Sequence, residues 1–365
     1  MSANSGAIGL AKHELETPAL CLDLDAYRRN VDRMATVLRA ARVAWRPHMK
    51  GQKAPQLATL ALEAGAIGVT CATLYEAEAM ADAGVESILL AHETVGARKQ
   101  RRLARLAGRC GLISATDSHA HLAQLGEAAR AEGVTIPVLI ELNVGMNRCG
   151  IEPGESAIDL VSAAVVTPGI RLAGLMGWEG HAVKEPGEDK SAKIAAAMSA
   201  LVETAERCRA EGFEIAIVSA AGSGTFLDAT RTAGITEVQA GGGVFSDLNY
   251  RKWGLTDHEF ALTVVTRVAS RPTPTRIIVD AGFKTMSVQH GLPQPLIGAP
   301  VRSVVLSAEH GTIELESPDD SLRVGDVVEF VPGYTDSTVC LHDEMCALRG
   351  GLLEAVWRIP GRTGR

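Results

Sequence analysis

Aromatic residues are scarce: Trp, Tyr and Phe make up 4% of the 365 residues. Set against 37 glycines, so little aromatic volume disfavours an aromatic-rich β-sandwich and favours helices packed closely on a sheet. Basic tracts are also missing. Net charge is −7, and the run Arg98-Lys99-Gln100-Arg101-Arg102 reads as a solvated helix face. Nucleic acid and anionic membrane are therefore not expected partners. No apolar run reaches membrane length, and the polar stretch from Met1 to Thr17 lacks the apolar core of a secretory signal. Seven cysteines, at 21, 71, 110, 149, 208, 340 and 346, form no CxxC pair. Such an unpatterned set reads as reduced cytoplasmic thiols, not a disulfide framework or zinc site.

What is present is alternation. Eight short apolar runs follow one another: Val43–Trp45, Ile67–Cys71, Ile88–Ala91, Leu112–Ala115, Val138–Leu142, Leu172–Met176, Ile215–Ser219 and Glu237–Ala240. Each has the length and continuity of a buried parallel strand. Helix-length segments separate them. Asp25 to Ala40 carries Tyr27, Val31, Met34 and Leu38 at helical spacing, and Ser191 to Arg209 has a similar stripe. Gly65, Gly84, Gly108, Gly133 and Gly212 stand where helices should end. Eight such units predict a (β/α)8 TIM-type barrel over 24–257, with a doubly wound open sheet as the structural alternative.

After about residue 258 the texture changes. Phe260–Val268, Thr275–Val279, Val301–Leu306, Thr312–Glu316, Val324–Phe330 and Val339–Leu348 read as strands with no helix among them. The expectation is a smaller all-β domain of residues 1–23 plus 258–365. The strand-like Thr17–Asp23 either belongs to it or bridges the two.

Barrel chemistry sits at the C-terminal ends of the strands. There the sequence places Arg46-Pro47-His48-Met49-Lys50, Cys71, His92 and Glu93, Asn143 and Arg148, then Trp178, Glu179 and His181. Ser219 to Thr225 and Gly241-Gly242-Gly243 follow the last two runs. Gly222-Ser223-Gly224-Thr225 opens a predicted helix, and glycines, free amides and hydroxyls suit a phosphate. Gly241 and Gly242 form a second small-residue turn beside it. Ordinary Gly-rich βα turns are the competing reading, since neither a Walker loop nor GxGxxG is present. Lys50 past the first strand lies in a partly dry mouth, which favours the neutral amine that Schiff-base chemistry uses. A surface lysine is the competing reading. Amine and phosphate cradle on one rim together describe a pyridoxal 5'-phosphate site.

Arg46-Pro47-His48-Met49-Lys50-Gly51-Gln52-Lys53 resembles the RPHxKxHK motif of the D-threonine aldolase / D-serine dehydratase family, alanine-racemase-like enzymes of fold type III. Further matches run through nearly the whole chain, among them Thr17-Pro18, Arg148-Cys149-Gly150, Gly180-His181, Ser219 to Thr225, Asp280 to Lys284 and Pro332-Gly333 through Asp343. The resemblance implies a homodimeric pyridoxal-phosphate enzyme with Lys50 as the Schiff-base lysine. It implies Arg148 and Trp178 by the cofactor ring, and Ser219, Gly222, Ser223, Gly224, Thr225, Gly241 and Gly242 around the cofactor. Relatives of the aldolase and dehydratase kinds hold a divalent metal (Mn2+, Mg2+ or Zn2+) with a histidine and an Asp or Cys two residues later. Here Asp336 matches the carboxylate, while Tyr334 replaces the histidine, and a neutral phenol is a poor ligand for these ions. His342 or Asp343 could compensate. Gln52 also stands where relatives often carry histidine.

The activity expected from this resemblance is cleavage of a 3-hydroxy-D-amino acid to an amino acid such as glycine and an aldehyde. Tyr334, His181 or a water on Asp336 would serve as base. A metal-independent racemase or epimerase and a dehydratase are the alternatives within the same chemistry. A non-catalytic cofactor carrier is disfavoured by the extra β domain. Cys71 and Cys149 read as packed near the site, His92 and Glu93 as helix caps, and Lys284 as either a surface residue or a substrate-carboxylate contact.

Overall fold

The structure, a computed structural model, describes residue 4 and residues 6–362. The other terminal residues, which the predicted β domain also includes, lie outside the described residues. The chain forms two compact units. One comprises Met34–Lys50 with Pro55–Gly241, and the other comprises the residues through Arg33, Gly51–Ala54 and Gly242–Arg362.

Strand β1 (Ala19–Asp23) opens the second of these. The helix α1 (Leu24–Ala41) follows, its first turn capped by Asp23 Oδ1, which accepts from the amides of Asp25 and Ala26 at 2.9 and 3.0 Å. Tyr27, Val31, Met34 and Leu38 are all buried along it, which is the face the spacing predicts.

The barrel strands are β2 (Ala44–Trp45), β3 (Val69–Cys71), β4 (Ser87–Leu90), β5 (Gly111–Thr116), β6 (Ile136–Leu142), β7 (Ile170–Gly177), β8 (Ile217–Ala220) and β9 (Glu237–Val238). Each coincides with one of the eight apolar runs. All pair in parallel, in the order β2-β9-β8-β7-β6-β5-β4-β3. The ring closes beyond β2, where His48 bridges Thr70 in parallel and the Met49 amide donates to Thr70 O at 2.7 Å. This closure excludes the open-sheet alternative. Leu89, Ala115, Leu139, Ala173 and Met176 share one buried cluster.

Helices end where the glycines predict. Gly133 adopts φ +69 after the helix His119–Glu132 and accounts for its stop without a Cβ clash. Gly108 differs: it is right-handed, φ −75, so it ends its helix without the left-handed turn.

In the other unit a sheet runs β13-β14-β11-β10-β1-β16-β17, with β15 on β10 and β12 on β15. Its later strands are β10 (Leu262–Thr273), β11 (Arg276–Val279), β12 (Gln294–Pro295), β13 (Val301–Leu306), β14 (Gly311–Leu315), β15 (Val327–Val331), β16 (Glu344–Arg349) and β17 (Leu352–Arg358). Strand β1 lies between β10 and β16, with Cys21 opposite Thr263 on one side and Cys346 on the other. The N-terminal strand therefore belongs to this sheet. Two expectations are corrected. Val339–Leu348 is not one strand, because Thr335–Val339 forms a short helix before β16. The β-branched residues there read as strand, but tertiary bonds from Asp247 hold Thr335 in the helical turn. Strand β17 was not anticipated. It pairs with β16 through Gly350 and Gly351, whose φ values of +55 and +81 supply the tight hairpin turn.

His258 in this unit is buried, and neither ring nitrogen has a hydrogen-bond partner among the described residues. Burial, reinforced by the Arg33 charge, pushes it down from 6.5 to about 4. The unfolded chain then takes up the proton first, so stability falls as pH drops from 6.5 toward 4. We expect His258→Leu to remove about 3 kcal/mol of the acid-induced loss between pH 7 and 4. Denaturant unfolding at both pH values measures it; an unchanged pH dependence would rule out this residue as the source.

Candidate active site

In the barrel unit, the segment after β2 is fixed by its backbone. His48 N–H donates to Gln239 O at 2.9 Å, and the Lys50 amide donates to His48 Nδ1 at 3.3 Å. Gly241 permits this, since a Cβ there would meet His48 O at 2.2 Å. The glycine turn after β9 thus serves close packing under the lysine loop. Lys50 is half-buried, and its Nζ lies 4.8 Å from the Trp178 ring centroid. The Arg148 guanidinium lies 5.1 Å from the same ring. Two cations flank one indole, from strand ends that are far apart in sequence.

The other end of that indole reaches the turn after β8. Gly222 is bare there, and a Cβ on it would come within 3.2 Å of Trp178 Nε1. Ala221 takes φ +64, and the Gly222 amide donates to Thr225 Oγ1 at 3.1 Å. Thr225 and Phe226 return amide bonds to Gly222 O at 3.1 and 3.0 Å. Ser223 and Gly224 lie between these bonds, so the turn is pinned at both ends. The helix that follows is shorter than expected, only Phe226–Ala229. Ser219 points elsewhere: its Oγ donates to Glu237 Oε1 at 2.8 Å and accepts from Gln239 Nε2 at 3.0 Å. Arg46 likewise turns into the barrel, where its Nε lies 3.1 Å from Glu237 Oε2. His181 is half-buried, with Nδ1 unpartnered among the described residues, and its ring packs over Gly145, where a Cβ would sit 2.8 Å from Nε2.

The sequence reading placed Glu93 on this rim but missed its acidic neighbours Asp117 and Glu141, from the ends of β5 and β6. Glu141 is buried, and burial together with Glu93 pushes its carboxyl up to about 8. Arg148 Nη2 approaches its Oε1 at 3.8 Å. Glu93, Asp117 and Cys149 bring ligand atoms within 4.8 Å of one another, a set that could hold a metal. Burial and then Glu93 push the Cys149 thiol up to about 11, away from thiolate. His92 and Glu93 do not cap the next helix, whose N-cap is Gly96. Asp117 directly follows Thr116 and was visible by the strand-end rule. Glu141 was hidden inside the apolar run Val138–Leu142.

In the other unit, Tyr334 and Asp336 sit in an aromatic cluster. Tyr334 packs on Tyr250, Trp253 and His290, with ring centroids 5.9, 5.7 and 5.1 Å away. Asp336 Oδ1 accepts from Tyr250 OH at 3.1 Å. Gly51, which follows Lys50 in the chain, lies against this carboxylate, and a Cβ there would be 2.3 Å from Oδ1. Gly242 is equally confined, by Tyr250 OH and Asp336. Burial, with Asp336 adding to it, pushes the Tyr334 phenol well up. Asp247 organises the segment: Oδ1 accepts from the amides of Asn249 and Tyr250, and Oδ2 from the Thr335 amide and hydroxyl. The two compensating ligands considered for a metal are engaged elsewhere. His342 Nε2 bonds Thr285 O at 2.9 Å, and Asp343 pairs with Arg362. Gln52 accepts from Tyr27 OH at 2.7 Å. Lys284 pairs with Glu309 at 3.0 Å, both exposed.

Comparison with known proteins follows the same division. Residues 22–248 match the alanine racemase N-terminal domain family, and residues 261–348 match the putative serine dehydratase domain family. A 3-hydroxy-D-aspartate aldolase of Paracoccus denitrificans (strain Pd 1222) is 31% identical, over 97% of this chain and 94% of the relative. A D-threonine aldolase of Arthrobacter sp. is 32% identical, over 95% and 93%. The crystal structure of D-threonine aldolase from Filomicrobium marinum superposes with a TM-score of 0.94 at 34% identity, over 97% of this chain and 98% of that one. With its racemase-type barrel, its dehydratase-type β region and its flanked indole at the strand ends, the chain belongs to the D-threonine aldolase / D-serine dehydratase family of alanine-racemase-like proteins.

Proposed function

We propose that this chain is a pyridoxal-phosphate-dependent lyase that cleaves a 3-hydroxy-D-amino acid to an amino acid such as glycine and an aldehyde. The observation that carries the reading is Trp178, with Lys50 and Arg148 over its ring and the Ala221–Thr225 turn at its Nε1 end. These residues fit the cofactor: Lys50 an amine for attachment, Arg148 a guanidinium for the ring, and the glycine turn a phosphate seat. When bound, pyridoxal phosphate draws electrons from the substrate α-carbon. The chain must then take the proton from the β-hydroxyl as the Cα–Cβ bond breaks. Tyr334 is a poor candidate, because burial keeps its phenol protonated and makes it a donor. We assign proton acceptance to His181 at Nε2, for which Gly145 leaves room.

The expected divalent metal does not fit at Asp336. Its carboxylate is the single anionic donor of that pair, it accepts from Tyr250 OH, and phenols bind such ions poorly. We therefore expect cofactor-loaded protein to cleave D- but not L-3-hydroxy amino acids with no metal at Asp336, so that aldehyde release changes less than about twofold with a chelator; a larger loss would place the metal at Glu93, Asp117 and Cys149 instead. A tenfold or larger loss on chelation would overturn the metal-independent reading. Cα–H exchange without aldehyde would instead support the racemase alternative, and release of the β-hydroxyl the dehydratase.

Two broader expectations complete the proposal. Exposed Phe283, Val288, Leu292 and Leu296 give the β unit apolar surface suited to a homodimer. None of the seven cysteines is in a disulfide among the described residues, which suits the reducing cytoplasm. Among the described residues no helix is long and apolar enough to cross a membrane.

A further inference from the structure

Glu179 is 0% exposed, and no cation pairs with it among the described residues. Its Oε1 accepts the Thr225 hydroxyl, while its Oε2 has no hydrogen-bond partner among the described residues. The same Thr225 oxygen accepts the Gly222 amide at 3.1 Å. A chain of two bonds thus runs from a buried carboxyl, through one hydroxyl, to the backbone of the turn. Thr225 has a single hydroxyl proton, directed to Glu179 Oε1 and, at the longer distance of 3.2 Å, to Gly222 O. That hydroxyl is therefore not spare for an anionic ligand.

A buried carboxyl behind an anion-binding turn is an unusual choice. Removed from water and facing a phosphate, a carboxylate would be costly and would repel the ligand. Burial pushes Glu179 up, against the Thr225 hydroxyl and the nearby amides of Ala221 and Gly222. That shift is toward the neutral acid, which lessens the charge beside the turn while Oε1 stays on the Thr225 hydroxyl. Glu179 is also the residue after Trp178. Gly180 on its far side lets the indole fold over the backbone, since a Cβ there would lie 2.5 Å from Trp178 Cη2. Trp178, Glu179 and Gly180 together set both the indole plate and the turn at its end.

We propose that Glu179 is the positioning residue of the phosphate turn: by holding Thr225 Oγ1 it fixes the Gly222 amide and the shape in which residues 221–225 receive the phosphate of the cofactor. This rests on the pyridoxal-phosphate reading above. The effect should therefore track the phosphate group and not the pyridine ring.

The test compares dissociation constants for pyridoxal phosphate and for pyridoxal, which lacks the phosphate, by equilibrium dialysis. Wild-type protein is measured against Glu179→Ala, Glu179→Gln and Thr225→Val, each checked for an intact thermal transition. Glu179→Ala and Thr225→Val should weaken pyridoxal phosphate by about tenfold to a hundredfold, the cost of leaving a buried hydrogen-bonding group unmade. Pyridoxal should change less than about threefold. Glu179→Gln mimics the neutral acid and should stay within about threefold of wild type for both. Equal weakening of both compounds, no weakening in Glu179→Ala, or a Gln variant as poor as the Ala variant would each overturn the proposal. Wild-type protein that binds neither compound would overturn the cofactor reading itself, and the proposal with it, so the two failures are told apart.

Discussion

Lys50→Ala protein is expected to fold normally and to lose aldehyde release by on the order of 10^4-fold or more. The fold survives because the loop does not depend on the side chain. The Met49 amide is bound to Thr70 O at 2.7 Å, the His48 amide to Gln239 O at 2.9 Å, and the Lys50 amide to His48 Nδ1 at 3.3 Å. Only the amine over Trp178 is removed. Among the described residues no other lysine or arginine lies over that ring except Arg148, which cannot give up a proton to act as a nucleophile. Wild-type protein loaded with cofactor and treated with borohydride should carry the cofactor covalently at Lys50, whereas the variant should carry none. Residual release above about one-hundredth of wild type would mean that Lys50 is not the attachment residue.

The second large effect is on stability. Arg46 and Glu237 form an ion pair inside the barrel, with side chains 5% and 3% exposed. Two further bonds support the pair: Arg46 Nη1 donates to Ser87 Oγ at 2.8 Å, and Ser219 Oγ donates to Glu237 Oε1 at 2.8 Å. Gly68 makes space for the guanidinium, because a Cβ there would lie 2.6 Å from Arg46 Nη1. Removing one partner leaves an uncompensated buried charge, so Arg46→Met or Glu237→Leu alone should cost about 3–5 kcal/mol. The double variant should recover much of that loss, because both desolvation penalties vanish together. Denaturant unfolding of the three proteins measures the coupling. Single variants within about 1 kcal/mol of wild type would show that the pair is not structural.

Arg46 and Lys50 stand only four positions apart in the chain, and a linear reading puts both on the same rim. Both follow the first apolar run, and the strand-end rule puts both on the rim. The short β2 ends at Trp45, so Arg46 still turns into the barrel toward Glu237. Ser219 was misplaced for the same reason: it lies within β8, and its hydroxyl belongs to the Glu237 network. One residue of register decides whether a polar side chain lies in the interior layer or at the mouth, and apolar runs locate strands less finely than that.

The barrel itself was legible because eight buried parallel strands leave eight nearly uninterrupted apolar runs. The helix faces were legible because Tyr27, Val31, Met34 and Leu38 recur at the period of the α-helix. The convergence of Lys50, Arg148 and Trp178 was legible in part, since the parallel topology sends every strand end to one rim. The scarcity of aromatics makes the grouping of Tyr250, Trp253 and Tyr334 informative. No local pattern links residues 250–253 to 334, so the cluster was not legible in the sequence. The helical turn Thr335–Val339 escaped for a related reason: its β-branched residues favour a strand, and the Asp247 carboxylate from a distant segment overrides them.

By itself the sequence determined the eight barrel strands, the helix faces and the strand-end rim on which Lys50 stands, because these depend on local period and chain order. The tertiary structure alone decided which polar groups are spent on one another: Arg46 on Glu237, the Thr225 hydroxyl on Glu179, His342 on Thr285, and Tyr250 on Asp336. A hydrogen bond or ion pair joins atoms a few ångströms apart whatever their separation along the chain, and sequence spacing carries no record of that choice.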